Sequence, residues 1–151
     1  MNQYEVDSDR IKPLIEKGIA QVISSNYCES FDEYLCKEYP WVPYSDKIDW
    51  IKVEKPYKRF RWDNATVEET TNFLKTTCMK SFKEVCIIYG AKQPGIIVSF
   101  EYACKELEHL TIFGWATRCM VGVKRNKYNL VELDYNSFVE IDFADWLTAS
   151  G

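Results

Sequence analysis

Apolar positions along this chain recur at helical steps in the first half and alternate in the second. Ile11, Leu14, Ile15, Ile19, Val22 and Ile23 fall three and four residues apart, which puts them on one face of a helix. Ser8 or Asp9 can cap its start, and Pro13 suits a first turn, where a missing N–H costs no helical bond. Gly18 weakens its interior, and Ser24-Ser25-Asn26 ends it. A second, shorter helix is expected from Ser30, which forms a capping-box pattern with Glu33; Phe31, Tyr34 and Leu35 share one side before Pro40 stops it. The loop Tyr39-Pro40-Trp41-Val42-Pro43-Tyr44 follows, with rings expected to pin it to the body, and Ile48 to Val53 fits a short strand. A third helix is expected from about Thr66 to Lys80. Thr66 and Glu69 repeat the capping box, and Val67, Thr70, Phe73, Leu74, Thr77 and Cys78 keep helical spacing.

From Glu84 onward the pattern is that of strands. Val85 to Tyr89 and Ile96 to Tyr102 form a hairpin through the turn residues Gly90 to Gly95. Thr111 to Val123 reads as a long strand in which Gly114 and Gly122 mark bulges, and Lys124-Arg125-Asn126-Lys127 turns the chain. Tyr128 to Leu133 alternates, and so does Ser137 to Phe143, with Phe138, Glu140 and Asp142 on one side and Val139, Ile141 and Phe143 on the other. Segment 103–110 fits either a helical turn or a continuation of the hairpin. The order of elements predicts an α+β fold, with N-terminal helices packed on one face of a C-terminal antiparallel β-sheet. No repeat, linker or composition break divides residues 1–151, so a single globular domain is expected.

Composition narrows the setting. With 46% hydrophobic residues in 151, the chain can build a core without disulfides, and its six cysteines read as small buried apolar residues of a reduced, cytoplasmic protein. The start MNQYEVDSDR has neither a basic nor an apolar signal region, and no apolar run approaches a membrane span, so no membrane partner is expected. Without CxxC, and with His109 as the single histidine, no metal site is expected. No phosphate-binding glycine loop or hydrolase motif occurs, so no cofactor, small-molecule substrate or catalytic residue is assigned and the chain is read as non-enzymatic.

Charge is distributed unevenly. Residues 128–151 contain Glu132, Asp134, Glu140, Asp142 and Asp145 and no basic residue, while the other 18 of the 23 acidic side chains are offset by all 19 basic ones. The whole excess of −4 thus sits in the last segment, where Tyr135 and Trp146 (with Tyr128 nearby) offer aromatic anchors. Such a surface suits a basic protein partner: charge speeds encounter and rings supply desolvated contact. A smaller acidic group, Glu29, Asp32, Glu33 and Glu38, decorates the second helix. Two other chemistries compete. Lys52, Lys55, Lys58, Arg59 and Arg61, interleaved with Tyr57, Phe60 and Trp62, have the composition that stacks bases and neutralises phosphates, although a sequence pI near 5.1 makes a nucleic-acid partner the lesser expectation. His109 with Cys86, Cys104 or Cys119 would make a cysteine-dependent enzyme if the histidine stabilised a thiolate, and Glu101 with Glu106 is a carboxylate pair of unspecific spacing.

By size, charge and architecture, the chain resembles the immunity proteins of bacterial polymorphic-toxin systems such as contact-dependent growth inhibition. The segment Glu132-Leu133-Asp134-Tyr135 through Glu140-Ile141-Asp142-Phe143-Ala144-Asp145-Trp146 carries the resemblance. It implies a non-catalytic inhibitor that occludes the active site of a cognate toxin domain. For a nuclease toxin, carboxylates would occupy the cleft made for phosphate, with Tyr135 and Trp146 as anchors. The basic 52–61 run is a departure, since a mimic of phosphate charge does not need it.

Overall fold

A computed structural model describes residues 4–111, 118–142 and 145–151. Seven strands, β1 (Gln21–Ile23), β2 (Tyr57–Arg61), β3 (Glu84–Ile88), β4 (Gly95–Ser99), β5 (Arg118–Arg125), β6 (Val131–Ile141) and β7 (Trp146–Ser150), form one sheet in the order β1-β4-β3-β5-β6-β7-β2. Every pairing is antiparallel. The helices are α1 (Lys12–Glu16), α2 (Ser25–Glu38), α3 (Val67–Leu74), α4 (Phe100–Lys105) and α5 (Leu107–Thr111). The class is α+β, as the alternation predicts, and segment 103–110 is helical. Both edge strands come from the first half of the chain.

The helical face expected from Ile11 to Ile23 is cut short. Gly18 takes φ +75°, the N–H groups of Ile19 and Ala20 both donate to the Leu14 carbonyl, and the chain leaves α1 as strand β1. A glycine in the left-handed conformation is a helix stop, and it outweighs apolar periodicity. The second helix starts earlier than expected: Ser24 Oγ accepts from Asn26 N at 3.2 Å, which places Ser30 and Glu33 in mid-helix. The Thr66–Glu69 capping box is present, at 3.1 and 3.0 Å. Its helix ends at Leu74, and Thr77 then caps a separate 3-10 turn, Cys78–Ser81. Ile48 makes only an isolated bridge to Trp41, and Trp50–Lys52 is a 3-10 turn in place of the expected strand.

The helices do not share one face of the sheet. Val85, Ile87, Ile96, Val98, Met120, Val139, Ile141 and Leu147 meet Leu14 of α1, Leu74 of α3, Ala103 and Cys104 of α4, and Leu107 and Leu110 of α5. Cys86, Ile88, Ile97, Cys119, Val121 and Phe138 meet Cys28, Phe31 and Leu35 of α2, together with Tyr39, Ile48 and Trp50 from the following loop. Strands apolar on both sides, such as Val85 to Ile88, are what a sheet covered on both faces requires.

The Gly122 bulge is real and has consequences. Val121 pairs with Phe138, but its neighbour Gly122 pairs with Asp134, so three residues of β6 are passed between them. Side chains alternate faces, and an odd count of extra residues reverses which face follows. Residues Val131, Leu133 and Tyr135 therefore lie on the α2 side, as do Phe138 and Glu140, although their numbers differ in parity. The bulge expected at Gly114 lies outside the described residues, as do Phe143 and Ala144.

Candidate partner-binding surface

The acidic segment does not form the open face expected of it. Glu140 is 5% exposed. Its carboxylate accepts from the Ile48 backbone N–H and from the Trp50 indole Nε1–H, each at 2.9 Å. Burial raises its pKa above the usual carboxylate range, and these two hydrogen bonds only partly oppose the shift. Glu140 is thus an internal anchor for the loop that covers it, and the expectation of a surface contact there is corrected. Asp142, one step along the same side, is partly exposed and pairs with Lys47 Nζ at 3.0 Å on that same loop. Its carbonyl accepts from Trp62 Nε1 at 2.9 Å.

The remaining members are dispersed. Asp134 pairs with Lys124 at 3.2 Å beside Cys78 and Ser137, on the face opposite Glu140. Glu132 is exposed, directly across from Lys124 in register. Tyr135 is half-buried against the rings of Phe31 and Tyr34, with centroids 5.6 and 5.1 Å away. Trp146 lies beneath the Arg59 guanidinium, 4.6 Å from its ring centroid. Asp145 is partly exposed, and its carbonyl accepts from Trp62 N at 2.9 Å. The structure brings Glu140, Asp142, Asp145 and Trp146 to one end of the sheet and leaves Glu132 and Asp134 on the other face.

The basic run is equally committed. Strand β2 pairs along its whole length with β7. Lys58 Nζ donates to the Thr76 carbonyl at 2.6 Å, Arg59 Nε to Thr148 Oγ1 at 3.1 Å, and Lys55 sits 4.9 Å from the Tyr39 ring centroid. The interleaved rings are occupied too: Tyr57 packs on Trp50 at 5.2 Å and Phe60 stacks on Phe73 at 5.1 Å. Base stacking needs open ring faces, and these two are turned into the body.

A cleft of about 590 Å³ holds both Cys104 and His109, with Trp62, Asp63, Glu106 and Glu108 around it. Burial pushes the Cys104 thiol up to about 11, so near neutral pH it is a thiol and not the thiolate that nucleophilic catalysis needs. Cys86 and Cys119 are raised further by full burial. Glu101 does not line this cleft, so it makes no pair with Glu106 there. Among the described residues, no group of three or more His, Cys, Asp or Glu gathers as a metal site.

What stands out at the surface is the loop that Glu140 and Asp142 hold. Beside the buried residues Tyr39, Ile48 and Trp50 it presents Val42, Tyr44 and Ile51, with Tyr44 fully exposed and Ile51 at 89%. Trp41 Nε1 donates to the Leu35 carbonyl at 3.3 Å, and Val42 N to the Lys47 carbonyl at 2.9 Å, which fixes the loop's stem. The rings of this loop divide: Tyr39 pins it, as expected, and Tyr44 points away. Sequence reasoning did not single out Tyr44 and Ile51 as exposed apolar residues. The signal for Tyr44 was its place after Pro43 in a turn; Ile51 was hidden by the expected strand Ile48 to Val53, which is a 3-10 turn that leaves it in solvent. A second apolar tip, Tyr128 and Leu130, crowns the β5–β6 turn, whose Asn126 side chain accepts from both of their backbone N–H groups at 2.8 and 3.1 Å. No family model, curated protein or solved structure matches the chain. No helix among the described residues is long and apolar enough to cross a membrane.

Proposed function

We propose that this chain is a non-catalytic immunity protein that binds and neutralises a cognate toxin domain in the cytoplasm. Its contact is made by the loop 41–52, and the acidic strand beneath serves to hold that loop. The observation that supports this reading is the pairing of exposure with fixation: Tyr44 and Ile51 are solvated, while Glu140, buried, clamps the backbone and indole beside them. Large apolar side chains on a backbone already held in place cost less ordering on binding, which is the character of interface anchors. Lys47 and Lys52 flank them and suit acidic groups on the toxin. In this form the inhibitor covers the toxin by an apolar contact with a cationic rim, not by imitating phosphate.

The deciding experiment is co-expression. The C-terminal domain encoded by the adjacent upstream reading frame should arrest growth of a bacterial host when expressed alone. Co-expression of this chain should restore growth, and the Tyr44→Ala, Ile51→Ala double variant should restore it poorly. A neighbouring domain without toxicity, or toxicity that this chain does not relieve, overturns the proposal.

A further inference from the structure

We infer that the outer edge of β2 accepts an extended acidic segment of a partner protein as an additional strand. This goes beyond the reading above and does not depend on it. Strand β2 is the last of the seven in the sheet. Its Pro56 neighbour accepts from Gly151 N at 3.1 Å and Trp62 donates to the Asp145 carbonyl at 2.9 Å, with Lys58 opposite Ala149 and Phe60 opposite Leu147. In an antiparallel ladder the intervening residues point the other way. Tyr57, Arg59 and Arg61 thus aim their N–H and C=O groups away from β7, and among the described residues nothing bonds them. The five residues contain no proline and no bulge. The opposite edge, β1, offers only Gln21–Ile23.

Exposed edges are normally guarded, and charge is the guard here. Its sign selects the partner. Between residues 52 and 61 there are five cations and one anion, Glu54. Lys52 and Arg61 reach carboxylates only at 3.7 and 3.8 Å, and among the described residues Lys55, Lys58 and Arg59 have none within 4 Å. A second copy of β2 laid against the first would set cations against cations, which excludes self-pairing. A strand with carboxylates at alternate positions would meet cations across the new ladder, while main-chain hydrogen bonds supply the docking.

The test uses the isotope-labelled full chain and three synthetic octapeptides: alternating Glu and Val, alternating Lys and Val, and the Glu–Val peptide with two prolines inserted. The Glu–Val peptide should bind and slow amide exchange of Tyr57, Arg59 and Arg61 by at least about tenfold, leaving Lys58 and Phe60 as they were. The lysine and proline peptides should do neither. Arg59→Pro removes one outward N–H and leaves the main-chain bonds to β7 in place, and it should abolish the slowing at Tyr57 and Arg61, whereas Arg59→Ala, which loses the same side-chain contacts with Thr148 and Trp146, should keep it. The double variant Arg59→Glu, Arg61→Glu, whose two side chains share one face of β2, keeps every backbone donor and should lose at least about tenfold in affinity. Absence of binding, equal binding of the proline peptide, or binding without slowed exchange at those three amides overturns the inference.

Discussion

Glu140→Ala isolates the contact on which the proposed surface depends. In the folded chain its two carboxylate oxygens are the acceptors for Ile48 N–H and Trp50 Nε1–H, and both of those residues are buried. Alanine leaves two buried donors without acceptors at about 1–3 kcal/mol each, or roughly 2–6 kcal/mol together. Relief of the carboxylate's own desolvation acts in the opposite direction, and brings the expected loss to about 2–4 kcal/mol. For a chain of this length that lowers Tm by roughly 5–15 °C. Urea unfolding at neutral pH gives the free energy, and the Trp50 indole N–H resonance reports whether the loop still docks. A Glu140→Ala variant within about 0.5 kcal/mol of the parent, with that resonance unmoved, would refute the clamp.

Glutamine at the same site separates shape from charge. Its amide offers one acceptor oxygen and turns donors toward the second N–H, so Glu140→Gln should lose part of what alanine loses. The pH dependence fixes the sign. Burial raises the folded-state pKa of Glu140, so as pH climbs past the ordinary carboxylate range the unfolded chain releases this proton first. Between the ordinary value and the raised one the folded state holds more protons, and stability falls with rising pH. The parent should lose stability relative to Glu140→Gln across that window. A gap that is flat with pH would mean the carboxylate is solvated.

Packing and exposure elsewhere in the fold set three further outcomes. A Cβ at Gly122 would lie 2.5–2.7 Å from Phe82 ring atoms, so Gly122→Ala should cost about 1–3 kcal/mol. Phe82→Leu in the same chain should return most of it in a double-mutant cycle of urea midpoints, and additive losses would place the clash elsewhere. Iodoacetamide near neutral pH should label the exposed Cys36 first and the half-buried Cys78 next, both more slowly than a free thiol because burial raises their pKa, with the buried four following only on unfolding; rapid labelling of Cys104 would favour the enzyme reading. Tyr44→Ala and Ile51→Ala should each stay within about 0.5 kcal/mol of the parent in stability, because both side chains are solvated in the free chain, while weakening the proposed contact with a toxin domain in a binding assay.

Period and turn chemistry made most of the elements legible. The β3–β4 hairpin and the Thr66–Glu69 cap are local features, and each is written in a few adjacent residues. What eluded reading depends on contacts remote along the chain. The pattern of Ile11 to Ile23 fits a helix as well as a turn and strand, and the decision rests on Gly18 and on β4, more than seventy residues away in sequence. Alternation correctly put Phe138 and Glu140 on one side, but alternation says nothing about what covers that side. Here it is Ile48 and Trp50, about ninety residues earlier, and they turn an expected contact into a buried clamp. Tyr135 passed as an exposed anchor for the same reason, since Phe31 and Tyr34 of α2 close over it.

The two charged segments that competed as partner surfaces in the sequence are to a large extent each other's partners. Strand β2 lies along β7, Lys47 pairs with Asp142, Arg59 covers Trp146, and Trp62 bonds both Asp142 and Asp145 through its indole and backbone N–H. Strand pairing, ring contacts and the Lys47–Asp142 ion pair thus join the first half of the chain to its last strand, closing the sheet on the side away from β1. Such pairs are individually weak in water, and their effect here is on register and placement more than on total stability. Once the segments are joined, what remains open is small and definite: the apolar tip at Tyr44 and Ile51, and the outward main-chain groups of β2 beside cations whose nearest carboxylates are distant. A surface that the fold itself does not use is where a partner has something to bind, which is why both proposals point there and not to the acidic run that dominates the sequence.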